Sequence, residues 1–176
     1  MNPSRAVGLA LLAALATALS ACAYPISRHY RQAARRDLDI SKVLPDPTSH
    51  QGALVIWGGV ILAVLNGPEG SQLEVLEVPL DFMGEPTDPR YSRGRFMAQS
   101  ADFLDPEVYK KGDKVTLAGE IAGKETRPLG KAQYSYPVLA IKQIHVWAPH
   151  EIVYPPPYYG WSGRWESPYY YGPYFY

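Results

Sequence analysis

The sequence predicts a mainly β domain: a small, partly open barrel of about five strands with a short helical turn, followed by a low-complexity aromatic tail. Three observations predict it. Short apolar runs between residues 53 and 147 alternate with polar positions, which is the period of a half-buried strand. Turn residues separate those runs, most clearly in Asn66-Gly67-Pro68-Glu69-Gly70 and Gly112-Asp113, since Asn and Gly tolerate positive φ. Beyond Val153 the alternation stops, and 11 of the last 23 residues are aromatic while five are proline.

The first residues predict the compartment. Met1 to Arg5 carries one positive charge, and Ala6 to Leu19 then has no polar side chain except Thr17. That run suits the core of a signal peptide and is too short for a bilayer span, which needs roughly 20 apolar residues. Leu19-Ser20-Ala21-Cys22 follows and resembles the bacterial lipobox, in which the cysteine thiol takes a diacylglyceryl group. Cys22 is the one cysteine among 176 residues, so the alternative of an ordinary secretory signal with an incidental cysteine needs a coincidence. The expected organisation is a lipoprotein signal peptide over 1–21, a lipidated linker over 22–50, a β-barrel domain over 51–150 and a Tyr/Pro-rich tail over 151–176. The acyl chains on Cys22 would be the membrane anchor, since three chains hold far more firmly than one. Ala23 stands where aspartate tends to retain such proteins at the inner membrane, so the outer membrane is the expected address.

The mature chain would hold 155 residues, enough for one domain with an ordinary core, and no thiol free for a disulfide. Without Arg5 it carries 16 basic against 17 acidic side chains, which gives no electrostatic reason to expect a nucleic-acid partner. Within Tyr24 to His50, Arg28, Arg31, Arg35 and Arg36 fall at near-helical spacing and could meet lipid phosphates above the anchor. The simpler reading is a solvated linker, its charge partly offset by Asp37 and Asp39 and its end set by Pro45-Asp46-Pro47.

Ala53 to Leu65 is dense in β-branched and aromatic residues and is interrupted by Gly58-Gly59, which predicts a bend or bulge in a long strand. Leu73 and Val75 alternate with Glu74 and Glu77 in the returning strand, so the two form a hairpin. Phe82 to Arg93 reads as a loop and Gly94 to Gln99 as a shorter strand. In Asp102 to Tyr109, Asp105 is a plausible cap and Pro106 a first helical residue. Lys114 to Ile121 and Tyr136 to Trp147 supply the last two strands. The Gly112 to Ile121 pattern looks like an OB-fold strand, giving an OB-like barrel. The tail shows neither helical nor strand period, and Pro155-Pro156-Pro157 fixes an extended chain.

Several blocks stand in a fixed order along the chain: Gly52-Ala-Leu-Val-Ile-Trp-Gly-Gly-Val60, Leu73-Glu-Val-Leu76, Pro79-Leu80, Gly94-Arg-Phe96, Phe103-Leu-Asp-Pro106 with Tyr109, Gly112-Asp113, Gly119 and Tyr136-Pro137. Together they resemble the Slp family of outer-membrane lipoproteins. The resemblance covers most of the mature chain up to Trp147 and implies an outer-membrane lipoprotein associated with starvation or other stress. It brings no reaction, cofactor or catalytic residue.

The residues themselves offer little chemistry. Of His29, His50, His145 and His150, only the last two are close in sequence, and no acidic or cysteine partner completes a metal site. If the last strand alternates regularly, His145 shares a face with Leu139, Ile141 and Trp147. Asp102, Asp105 and Glu107 could suggest a general acid and base, but capping beside Pro106 explains Asp105 more simply. Ser71 and Ser100 lack the glycines of a nucleophile elbow, and Gly58-Gly59 lacks the helix and lysine of a phosphate loop. The expectation is no enzyme, no cofactor and no metal. Binding stays open. Trp57, Trp147, Tyr134 and Tyr136 could form a stacking face for a sugar or peptide, or Trp57 and Trp147 could simply fill the core. In the tail, Trp161 and Trp165 head a surface suited to peptidoglycan, a membrane or another envelope protein, or the tail has no fixed partner at all.

Overall fold

The computed structural model describes residues 24–148, so the signal segment, Cys22, His150 and the tail with Trp161 and Trp165 lie outside it. Five strands carry the fold: β1 (Leu54–Gly67), β2 (Gly70–Glu77), β3 (Gly94–Ser100), β4 (Lys114–Leu129) and β5 (Ala132–Val146). They close into a barrel in the order β1-β2-β3-β5-β4, the strand order of an OB-fold. All pairings are antiparallel except β3 with β5, a seam of three parallel register pairs from Met97/Val138 to Gln99/Ala140. That short seam leaves the barrel partly open.

One long strand serves two neighbours. β1 pairs with β4 through Leu54 to Val60 and with β2 through Gly59 to Gly67. The changeover falls at Gly58-Gly59, where the sequence predicts a bend. A Cβ on Gly59 would overlap the Leu76 carbonyl oxygen across the hairpin, so only glycine lets the two backbones approach this closely. Val55, Trp57 and Ile61 of β1, Leu73 and Val75 of β2, Phe96 and Ala98 of β3, Val115, Leu117 and Ile121 of β4, and Leu139 of β5 fill the interior. They follow the period of two that puts alternate side chains on one face.

The segment 24–50 is not the solvated linker that its polarity predicts. It contains α1 (Arg28–Ala33), α2 (Ile40–Val43) and a 3-10 turn over Pro47–His50. Ile26, Leu38, Ile40 and Val43 are buried, and the last three join the barrel core. Asp39 caps α2 by accepting from Lys42 N at 3.1 Å. The segment is also sewn to the sheet: Gln143 of β5 accepts from Ser27 N and donates to Pro25 O, and Arg35 N donates to Leu54 O at 2.8 Å. Few apolar side chains suffice here because each lands on a core position.

The connection between β3 and β4 holds the expected single turn. Asp105 accepts from Glu107 N at 2.9 Å through its side chain, and its carbonyl accepts from Val108 N and Tyr109 N. β4 and β5 run well beyond the barrel, pairing from Gly123/Val138 to Leu129/Ala132. The sequence reading ends β4 at Ile121 and so misses this two-stranded arm.

Candidate functional site

The fold separates the four aromatic residues that could form a stacking face, and brings only Tyr134 and Tyr136 together. Trp57 points into the barrel, 4% exposed, edge-on to Phe96 at 5.4 Å, and its Nε1 donates to Leu38 O at 3.0 Å. It belongs to the core cluster of the barrel. Trp147 is half-buried on the outer surface, where its Nε1 donates to Thr116 Oγ1 at 2.9 Å and its ring meets His145 edge-on at 4.8 Å. The register of β4 against β5 shifts between Ala118 and Gly119, where Gln143 and Ile141 are the successive partners. Ile144 and Val146 therefore face the core, and His145 and Trp147 do not share the face of Leu139 and Ile141 as regular alternation predicts.

Tyr134 and Tyr136 do meet, ring centroids 4.7 Å apart, on the outside of the β3–β5 seam with Met97 and Val138. Their hydroxyls are committed. Tyr136 donates to Glu74 Oε1 at 3.1 Å, and Tyr134 accepts from Arg95 N at 3.0 Å. Arg95 closes the group by pairing with Glu74 at 2.9 Å. Burial and the Glu74 hydrogen bond raise the Tyr136 phenol above its usual range. This is a clasp that fastens the arm to the barrel, reinforced by Arg127, which donates to the Gln72 side chain and pairs with Glu125 at 2.6 Å.

The arm creates the cleft that the sequence does not announce. Between it and the β1–β2 turn lies a depression of about 550 Å³, walled by residues 65–72 and Arg127 and floored by Gln99, Ser100, Ala101 and Ala140. In OB-folds the β1–β2 and β4–β5 connections flank the ligand-binding surface of strands 2 and 3, and this cleft has that position. Its walls offer amide and hydroxyl groups from Asn66, Ser71, Gln72, Gln99 and Ser100, with one cation and one anion, Arg127 and Glu69. Asn66 and Ser71 brace the β3–β4 connection instead of facing a ligand, donating respectively to Leu104 O and accepting from Leu104 N. No signal in the sequence could have found the cleft, because it depends on how β4 overshoots the barrel.

A second depression, of about 660 Å³, lies near the start of the described chain. Tyr24, Arg31, Arg35, Arg36, Phe82 and Arg93 are among the residues that line it. Among the described residues no group of three or more His, Asp or Glu side chains converges as a metal site, and no helix is long and apolar enough to cross a membrane.

The model of the outer membrane lipoprotein Slp family matches residues 19–176, which includes every element described above. The chain belongs to the Slp family. Outer membrane protein Slp of Escherichia coli K12 is 29% identical over 171 residues, 94% of this chain and 90% of that protein. The uncharacterized lipoprotein YeaY of the same organism is 32% identical over 119 residues, 67% of this chain and 61% of its own length. This Slp-family protein is thus an outer-membrane lipoprotein of the cell envelope, held by lipid. Among solved structures it is similar to a small single-stranded DNA-binding protein of Streptomyces coelicolor, at TM-score 0.34 and 10% identity, over 54% of this chain and 94% of that one. The mitochondrial single-stranded DNA-binding protein Rim1 of S. cerevisiae gives TM-score 0.33 and 12% identity, over 53% and 93%.

Proposed function

We propose that this Slp-family protein is a non-catalytic envelope lipoprotein, anchored through Cys22, whose barrel holds an extended polar partner in the cleft between the β1–β2 turn and the β4–β5 arm. The family resemblance adds a role under starvation or other stress. The cleft carries the reading. Its amide and hydroxyl lining, with charges nearly balanced, suits the hydroxyls and amides of a peptidoglycan strand, which need hydrogen bonds more than counter-charge. Nucleic acid is a poorer match: the lining has one arginine and no aromatic ring, whereas single strands are held by a cationic groove and stacked rings. The clasp residues Tyr134 and Tyr136 position the arm in this scheme; they do not touch the ligand. The tail, with Trp161 and Trp165, supplies a second contact to the same polymer or to a neighbouring envelope protein.

The test is a titration of the lipidated protein in micelles with soluble muropeptides, followed by amide and side-chain NMR shifts. Saturable shifts at Gln72, Gln99, Ser100 and Arg127, weakened at least several-fold by Gln99→Leu, are expected. No shifts, or shifts confined to surfaces away from the cleft, would remove the proposal.

A further inference from the structure

The second depression has a fixed distance from the lipid. Tyr24 follows Cys22 by two positions, so whatever path residues 22 and 23 take, the anchor cysteine lies within ~7 Å of Tyr24 along the chain. From Tyr24 onward there is no slack. Pro25 and Ser27 are bonded to Gln143 on β5, Ile26 is fully buried, and the Tyr24 ring packs on Gly84, whose φ of +84° holds the Asp81–Gly84 turn against it. A barrel tied this closely to acyl chains cannot tumble freely; the face around Tyr24 must lie at the bilayer.

That face has the chemistry of a membrane-contacting surface. The guanidinium of Arg31 lies 5.0 Å from the centroid of the Tyr24 ring. Its Nε is buried without a hydrogen-bond partner among the described residues. Arg35 pairs with Asp37 and Arg93 with Glu77 and Asp39, but neither Arg31 nor Arg36 makes an ion pair with a described residue. Beside them Phe82, at the tip of the Asp81–Gly84 turn, is 89% exposed and shares the depression with Tyr24 and Leu80. Unpaired arginines match lipid phosphates, and an exposed ring beside them matches the headgroup boundary.

We propose that the surface formed by Tyr24, Arg31, Arg36 and Phe82 docks on the phospholipid headgroups, with Arg31 and Arg36 on phosphates and the Phe82 ring among the upper acyl segments. It fixes the barrel's orientation on the membrane. The proposal rests on Cys22 being the lipidated residue. Its consequence for function follows from β2: this surface lies by Glu77 to Leu80 and the ligand cleft by Gly70 to Gln72, at opposite ends of one strand. At ~3.3 Å per residue the two are about 20 Å apart, so docking at one end turns the cleft away from the bilayer.

The experiment uses the sequence's single cysteine. With Cys22 occupied by its thioether, Phe82→Cys introduces the free thiol for a nitroxide label, and Phe103→Cys, at a side chain 70% exposed, is the control. Full-length lipidated protein is reconstituted in vesicles of phosphatidylethanolamine and phosphatidylglycerol. The label at Phe82 should collide more with membrane-dissolved oxygen than with a water-soluble nickel chelate, and the label at Phe103 the reverse. Arg31→Gln with Arg36→Gln should shift the Phe82 label toward the nickel chelate. Equal nickel access at both positions would overturn the docking surface. A chain with unaltered Cys22 that itself takes the nitroxide would overturn the anchor instead, so the two failures are distinguishable.

Discussion

Trp57 donates its indole N–H to the Leu38 carbonyl at 3.0 Å, tying the centre of the barrel to the segment that precedes it. Leu38 joins Ile40 and Val43 in the same core cluster as the barrel side chains. The N-terminal segment is therefore part of the fold, and a lipid on Cys22, the proposed anchor, would be attached to the domain itself.

This makes a prediction about stability. Ile40 is fully buried, and Ile40→Ala should lower the unfolding free energy by about 3 kcal/mol through lost transfer energy and the cavity left behind. A linker side chain would contribute next to nothing. Urea unfolding of the two proteins, followed by tryptophan emission, separates these outcomes.

A second prediction concerns an asymmetric ion pair. Glu77 is 2% exposed, and Arg93, at 36%, reaches it at 2.5 Å while also lying 3.4 Å from Asp39. Arg93→Met leaves a buried carboxylate with little compensation and should cost about 3 kcal/mol. Glu77→Gln leaves an arginine that water and Asp39 can still serve, and should cost about 1 kcal/mol. Similar losses in the two variants on chemical denaturation would show that Glu77 is solvated in solution.

The legible part of this fold was the part with an apolar face. β1, β2 and β3 announce themselves because Val55, Trp57, Ile61, Leu73, Val75 and Phe96 recur at strand spacing between clear turns. β4 becomes invisible beyond Ile121, where Lys124, Thr126 and Pro128 are exposed and Glu125 and Arg127 are half-buried on the other face, so neither side of the arm is apolar enough to betray a strand. The cleft went unseen with it. The N-terminal segment reads as a linker for the opposite reason: its four buried aliphatic side chains, Ile26, Leu38, Ile40 and Val43, carry no period, because α1 buries none and only Ile40 and Val43 share a helix. Trp147 was misplaced by a single register shift, which reverses every face after it.

The clasp gives an alkaline signature. Burial first, and the hydrogen bond to Glu74 second, raise Tyr136 above its ordinary value of 10.0 in the folded protein. A raised folded value means that the folded state holds the proton more tightly than the unfolded one. The stabilisation is complete below pH 10 and is lost as pH rises through the folded value. Tyr136→Phe should be less stable than the wild type by about 1 kcal/mol at neutral pH, for the missing hydrogen bond. The gap should narrow above pH 10, where the wild type loses stability that the variant never had. Thermal melts across that range would detect it, and a gap independent of pH would show that the phenol is not held by the fold.

The anchor has its own test. If the Cys22 sulfur is the proposed acceptor of the diacylglyceryl group, Cys22→Ser should abolish metabolic labelling with palmitate and uncleaved precursor should accumulate. Undiminished label in the variant would move the lipid to another residue.

Removing residues 154–176 should leave the barrel folded and lipid-anchored. β5 ends at Val146, Trp147 N donates to Lys114 O at 2.9 Å, and the core cluster closes with residues from the interval 38–146. The truncated protein should therefore unfold at nearly the same urea concentration and with the same cooperativity as the full chain. Its binding to intact peptidoglycan should fall if the tail provides the second contact, while muropeptide shifts at Gln99 persist. A truncated chain that unfolds early would mean that Trp161, Trp165 or their neighbours contribute to the core, and the domain boundary would have to move past them.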